Sequence, residues 1–198
     1  MKFNDRQCKL IDFVRVQHGA QTRKYTGESY FTHPVEVAGI VNRYLQPEDL
    51  GVEVALCHDL LEDTNCTEEK LLEELNFCGY SYIEAQYITH TVSELTDFYT
   101  KEKFPDKNRK RRKLLETLRL GQVSWLAQSV KYGDLMHNTE SIVRHDRNFA
   151  KVYLAEKLDL LDKMRHGEIN LFAECCHSLV VARGQLGRVL YPHYRRIK

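Results

Sequence analysis

Apolar residues recur every three to four positions along almost the whole chain, and no run of alternating apolar and polar residues is long enough to argue a strand. The pattern predicts an all-α fold, with helices over roughly 3–18, 34–45, 50–63, 67–76, 80–95, 106–119, 123–143, 148–164 and 168–187. His33-Pro34 marks the start of the second, because proline at the first helical position lacks only an N–H that would be unpaired anyway. Thr67 is placed to cap the fourth, ahead of Glu68 and Glu69, whose charges suit the positive end of the helix dipole. Neither a low-complexity linker nor an internal repeat interrupts the pattern. The expectation is one compact multi-helix domain over residues 1–198, with its polar motifs in about 8–145 and a helical C-terminal part over 146–198.

Composition narrows the function classes. A net charge of +1 with 29% charged residues gives no bulk attraction to nucleic acid or to an anionic membrane, so nucleic acid is not an expected partner and a basic site must be local. No run approaches the roughly 18 apolar residues of a membrane span, and the N-terminal stretch MKFNDRQCKLIDFV is interrupted by charges. The expected location is the cytosol. Six cysteines (Cys8, Cys57, Cys66, Cys78, Cys175 and Cys176) form no C-x-x-C pair and read as reduced thiols. Cys175, Cys176 and His177 lack zinc-ligand spacing, so core packing is the favoured reading for them.

The chemistry lies in a dispersed set of ligand-type residues: His33, the adjacent pair His58-Asp59, and Asp134 far downstream. Two imidazoles and two carboxylates suit a divalent ion such as Mn, Fe, Co or Zn better than Ca or Mg, which prefer all-oxygen shells. Helical spacing puts Glu62 and Asp63 one turn beyond the pair, on the same side. Metal-assisted hydrolysis is the expected chemistry, with Glu62 orienting or deprotonating water and Asp63 either supporting the ligands or accepting the proton in turn. Upstream, the loop from His18 to His33 carries Arg23 and Lys24, either a nucleotide-gripping pair or solvated loop charges. The basic run over 101–113 reads either as a solvated helix face or as a phosphate-attracting rim. There is no Gly-rich phosphate loop of the Walker type.

Four ordered motifs, HGAQTRKYTGESYFTHPVEVA, ALCHDLLEDT, VSELTD with the basic NRKRRK stretch, and VKYGDLMHNTESI, resemble the hydrolase domain of the RelA/SpoT proteins, most of all the small single-domain alarmone hydrolases. The resemblance covers about residues 8–145 and implies an HD-domain fold. It implies that His33, His58, Asp59 and Asp134 hold one divalent ion, usually manganese, and that Glu62 and Asp63 are the acidic pair needed for hydrolysis. By the same resemblance Arg23, Lys24 and Asn138 contact the nucleotide and Tyr153 lines the base pocket. The implied reaction releases pyrophosphate from the 3′ position of guanosine tetra- or pentaphosphate, leaving GDP or GTP.

The chain departs from the family pattern in places. Ser29 stands where TGEPY has proline, and Gly133 stands where KLAD has alanine, at a cost in helix stability of about 1 kcal/mol. Thr139, Glu140 and Ser141 replace the usual residues after Asn138. Two other readings stay open at this stage: another nucleotide phosphohydrolase, such as a 2′-phosphatase acting on NADPH, and an idle nucleotide-binding regulator. Intact Glu62 and Asp63 argue against the regulator. The sequence leaves the oligomeric state open.

Overall fold

The computed structural model describes residues 2–187. The part of the expected helical C-terminus from 188 to 198 lies outside the described residues. Ten α-helices follow one another: α1 Asp5–His18, α2 Thr32–Val41, α3 Gly51–Cys57, α4 Leu60–Asp63, α5 Glu68–Cys78, α6 Tyr82–Leu95, α7 Arg109–Leu120, α8 Trp125–His145, α9 Arg147–Lys163 and α10 Ile169–Gln185. The described residues contain no strand, and their one β-bridge joins Thr22 to Ser29. The all-α expectation holds.

Side-chain caps begin most of the helices where polar residues precede the apolar rows. Asn4, Thr67, Ser81, Asn108, Ser124 and Asp146 each accept a hydrogen bond from a backbone N–H in the first turn. Two expectations shift. Pro34 is the third residue of α2 rather than its first, still inside the turn whose N–H groups have no helical partner. The single helix expected over 50–63 is broken at His58 and Asp59, with α3 ending at Cys57 and α4 starting at Leu60. His58 Nδ1 lies 2.7 Å from the Ala55 carbonyl, an acceptor that a continuing helix would offer to the Asp59 N–H.

The long helix α8 is the axis of the molecule. It packs on α2, α3, α6, α9 and α10, and its buried Leu126, Val130 and Leu135 belong to one core with Val37, Val41 and Leu154. α3 is buried throughout, Glu53 included. Gly133 explains itself here: a Cβ at that position would lie 3.1 Å from Val41 Cγ2 and 3.4 Å from Val37 Cγ1. The missing side chain lets α2 and α8 approach closely, and that approach brings His33 and Asp134 together. No helix among the described residues is long and apolar enough to cross a membrane.

Candidate functional site

His33 from the start of α2, His58 and Asp59 from the break between α3 and α4, and Asp134 from the middle of α8 converge on one point. His33 Nε2 lies 3.2 Å from Asp134 Oδ1, 3.4 Å from Asp59 Oδ2 and 3.3 Å from His58 Nε2. His58 Nε2 is 3.1 Å from Asp59 Oδ2 and 3.8 Å from Asp134 Oδ1. His33, His58 and Asp59 form a group whose donor atoms all lie within 4.8 Å of one another, and Asp134 closes it from the side of α8. Such edges suit donors sharing a divalent ion at about 2.0–2.2 Å.

Each donor residue is held by a further bond. The Ala55 carbonyl takes His58 Nδ1, leaving Nε2 for the shared point. His33 Nδ1 lies 2.7 Å from His137 Nδ1. The Tyr30 hydroxyl donates to Asp59 Oδ2 at 2.7 Å and is 2.9 Å from Asp63 Oδ2. Asp134 accepts from Asn138 Nδ2 through Oδ1 and pairs with Lys131 through Oδ2 at 2.9 Å.

Electrostatics keep the acids ionised. Burial opposes charge on Asp59, but His58 and His33 outweigh it and hold the carboxyl well below the usual range. Lys131 and the two imidazoles do the same for Asp134. Burial alone would lower His58, yet Asp59 and Asp134 carry it up to about 9, whereas burial dominates at His33 and pulls it down. The cluster thus draws positive charge to the spot where its donors meet, a role a divalent cation would take over with release of protons. The donor set and its geometry fit a metal ion.

A cavity of about 220 Å³ opens beside this cluster, lined by Asp59, Glu62, Asp63 and Asp134 at one end and by residues of α7 and α9 at the other. Glu62 and Asp63 face it and keep contact with solvent. Glu62 Oε2 accepts from the Asp97 N–H at 3.1 Å, and desolvation together with the Asp97 charge pushes its carboxyl up to about 7. Desolvation and Asp59 also raise Asp63.

The structure divides the expected substrate-side residues. Arg23 sits at the site: its Nη2 donates to Asn138 Oδ1 at 2.9 Å, so Arg23, Asn138 and Asp134 form one chain. The loop reaches this position by folding on itself, with Arg23 N to Glu28 O at 2.7 Å and Gly27 turning at φ 71°. Ser29 in place of proline therefore does not undo the loop. Lys24 points elsewhere, its Nζ 4.9 Å from the Tyr25 ring and 6.0 Å from that of Phe149. Asn138 and Tyr153 both line the cavity, and the buried Tyr153 hydroxyl makes no hydrogen bond to the described residues.

Sequence reasoning missed Tyr30, His137, Asp97, Lys131 and Lys157 as parts of the site. Lys131 is carried inside the VKYGD motif, one helical turn before Asp134, and was open to detection by i,i+3 spacing. The others come together only through tertiary packing. Of the basic run, Lys113 lines the cavity and pairs with Asp97 at 2.9 Å, while Lys110 and Arg111 are exposed, so each of the two readings of that run holds for part of it. Cys175 is buried and Cys176 half-buried in α10, as core packing requires.

Comparison with known proteins finds relatives in sequence and in fold. The guanosine-3′,5′-bis(diphosphate) 3′-pyrophosphohydrolase MESH1 of Xenopus tropicalis is 32% identical over 138 residues, which cover 69% of each chain. The enzyme of the same catalytic name from Haemophilus influenzae is 48% identical over 61 residues, and a GTP pyrophosphokinase of Myxococcus xanthus is 46% identical over 56. These segments are 31% and 28% of this chain but only 9% and 7% of those much longer relatives. A solved structure of a metazoan SpoT ortholog that hydrolyzes ppGpp superposes with a TM-score of 0.73 over 94% of this chain and 98% of that one, at 19% identity, which speaks for the fold. No protein-family model matches the chain. Four ordered motifs, the convergent His/Asp cluster, and a relative matched over more than two thirds of both chains together place this chain in the RelA/SpoT-type HD-domain hydrolase family.

Proposed function

We propose that this protein is a metal-dependent 3′-pyrophosphohydrolase of guanosine 3′,5′-bis(diphosphate) and its pentaphosphate, giving GDP or GTP and pyrophosphate. The observation that carries the reading is the convergence of His33 Nε2, His58 Nε2, Asp59 Oδ2 and Asp134 Oδ1 at the end of a cavity that also presents Glu62 and Asp63. The relatives named for this reaction support the choice of substrate.

His33, His58, Asp59 and Asp134 would hold the ion, with Mn2+ as the expected occupant. The ion supplies Lewis acidity, which makes water a better nucleophile near neutral pH and offsets charge on a phosphoryl oxygen. The remaining work falls to side chains. Glu62, with a carboxyl near neutrality, takes the proton from the attacking water as its oxygen bonds to phosphorus. The bond between that phosphorus and the 3′ oxygen breaks, and the 3′ oxygen leaves as the ribose hydroxyl after gaining a proton. Tyr30, bridging Asp59 and Asp63, fixes both carboxylates in place. Arg23, through Asn138, lies where a forked guanidinium can grip the nucleotide next to the ligand cluster.

The test is a substrate panel. Purified protein with Mn2+ is incubated with guanosine 3′,5′-bis(diphosphate), NADPH and simple nucleoside 5′-phosphates, and products are separated by ion exchange. Pyrophosphate together with GDP is the expected result. Orthophosphate from NADPH alone would move the assignment to a 2′-phosphatase, and no product from any compound would leave a binding protein.

A further inference from the structure

The charges around the cavity do not cancel evenly. Its lining includes seven carboxylates, and four of them have a cation of their own: Asp97 pairs with Lys113, Asp134 with Lys131, Glu116 with Arg119 and Glu156 with Arg109. The three left over, Asp59, Glu62 and Asp63, stand together at the metal end. At the opposite end Lys157 of α9 lines the same cavity, and among the described residues it makes no ion pair. Its Nζ sits 5.4 Å from the centre of the Tyr153 ring, a contact that leaves its charge uncancelled. Of the cations that line the cavity, Lys113 and Lys131 are paired, so Lys157 is the one whose charge a ligand can claim at no loss to an existing pair.

From this placement we propose that Lys157 is the anchor for a second phosphate group of the substrate, the one remote from the bond that is broken, and that it makes the enzyme select nucleotides phosphorylated at two positions. The inference rests on the hydrolase reading above and specifies its substrate class. A cavity of about 220 Å³ is below the roughly 300–1,000 Å³ of sites that enclose a whole ligand, so it suits phosphate groups entering from an exposed nucleoside. A polyanion placed across it would meet the metal cluster with one phosphoryl group and Lys157 with another. Burial, together with Lys131 and Lys113 nearby, pushes the Lys157 ammonium down to about 8, so the protein itself leaves this cation poorly compensated and an anion would relieve it.

Binding that is common to ground and transition states shows itself in KM rather than kcat. The Mn2+-loaded full chain and its Lys157→Gln and Lys157→Arg variants are therefore assayed on two compounds, guanosine 3′,5′-bis(diphosphate) and guanosine 3′-diphosphate with a free 5′ hydroxyl. Lys157→Gln should raise KM for the first about tenfold with kcat within about twofold, leave the second unchanged, and be largely reversed in Lys157→Arg. Equal losses on both compounds, or no loss on either, would overturn the proposal. Calorimetric titration of GDP into the same proteins separates this outcome from failure of the hydrolase reading. If the parent protein turns over neither compound, that reading falls, while weaker GDP binding by Lys157→Gln than by the parent still supports the anion site. GDP affinity that is equal in the two, or absent in both, removes it.

Discussion

At the metal end of the cavity each donor residue is pinned by a short bond to a close neighbour: His58 to Ala55, Asp134 to Lys131 and Asn138, Asp59 to Tyr30, His33 to His137. At the other end, Lys113, Glu156, Lys157 and Tyr153 come from α7 and α9, and their alignment depends on how two amphipathic helices pack. In the proposed reaction the first end positions reacting groups and tolerates little displacement, since small misplacement of reacting atoms costs large factors in rate. The second has only to attract and hold charge. On the proposed function chemistry and selectivity sit on different parts of the fold, and substitutions at the two ends should fail in different ways.

The largest effect should come from the metal end. Asp59→Asn keeps the shape but removes a charged donor, so metal content and turnover should fall together, by more than the roughly 10–100-fold that loss of an outer hydrogen bond costs a metal site. Metal analysis and an activity assay on the same preparation check this. Full metal content with full turnover would dissolve the distinction between the two ends.

Next in size is Glu62→Gln, which should retain the metal and lower turnover by about a hundredfold or more, the scale of a lost general base. Here pH sharpens the argument. The Glu62 carboxyl is raised to about 7, so the base is protonated and idle below that value and ionised above it. Turnover of the parent protein should climb as pH rises through about 7, and that limb should vanish from the profile of Glu62→Gln. A variant that keeps the limb would assign it to another group, Asp63 being the first to examine.

The contrast between the ends also explains what was legible in the chain. Helices showed in the apolar rows and caps because both are local, and nearly all of them fall where the pattern puts them. The break at His58-Asp59 did not show, since VEVALCHDLLED is a sound helical sequence and only the demands of the His58 ring on the Ala55 carbonyl interrupt it. That His33, His58, Asp59 and Asp134 form one cluster was readable because histidine and aspartate in fixed motifs have few other uses in that order. Lys157 was not, because a lysine among KVYLAEKLDLLDK looks like any solvated position on a helix, and only the packing of α9 over the cavity gives it a different neighbourhood. Asp97, Tyr30 and His137 escaped for the same reason: their partners are distant in sequence.

The smallest effects should come from the loop before α2, where neighbouring basic residues part company. The family resemblance treats Arg23 and Lys24 as one nucleotide-contacting pair. In the fold, Arg23 reaches Asn138 and through it Asp134, while Lys24 lies against Tyr25 and Phe149. A guanidinium within a hydrogen-bonded chain to the ligand cluster can form a charge-assisted bond to phosphate without moving far, and its loss should raise KM roughly tenfold with a smaller change in kcat. Lys24 would first have to leave its aromatic contacts, each worth about 0.5–1 kcal/mol at an exposed site, and then reach around Tyr25. Lys24→Ala should therefore alter KM by no more than about twofold. Steady-state kinetics on the two single variants decide the matter. Equal KM increases would mean that the loop closes over the nucleotide and brings Lys24 in, which would extend the selective end of the cavity to the metal cluster itself.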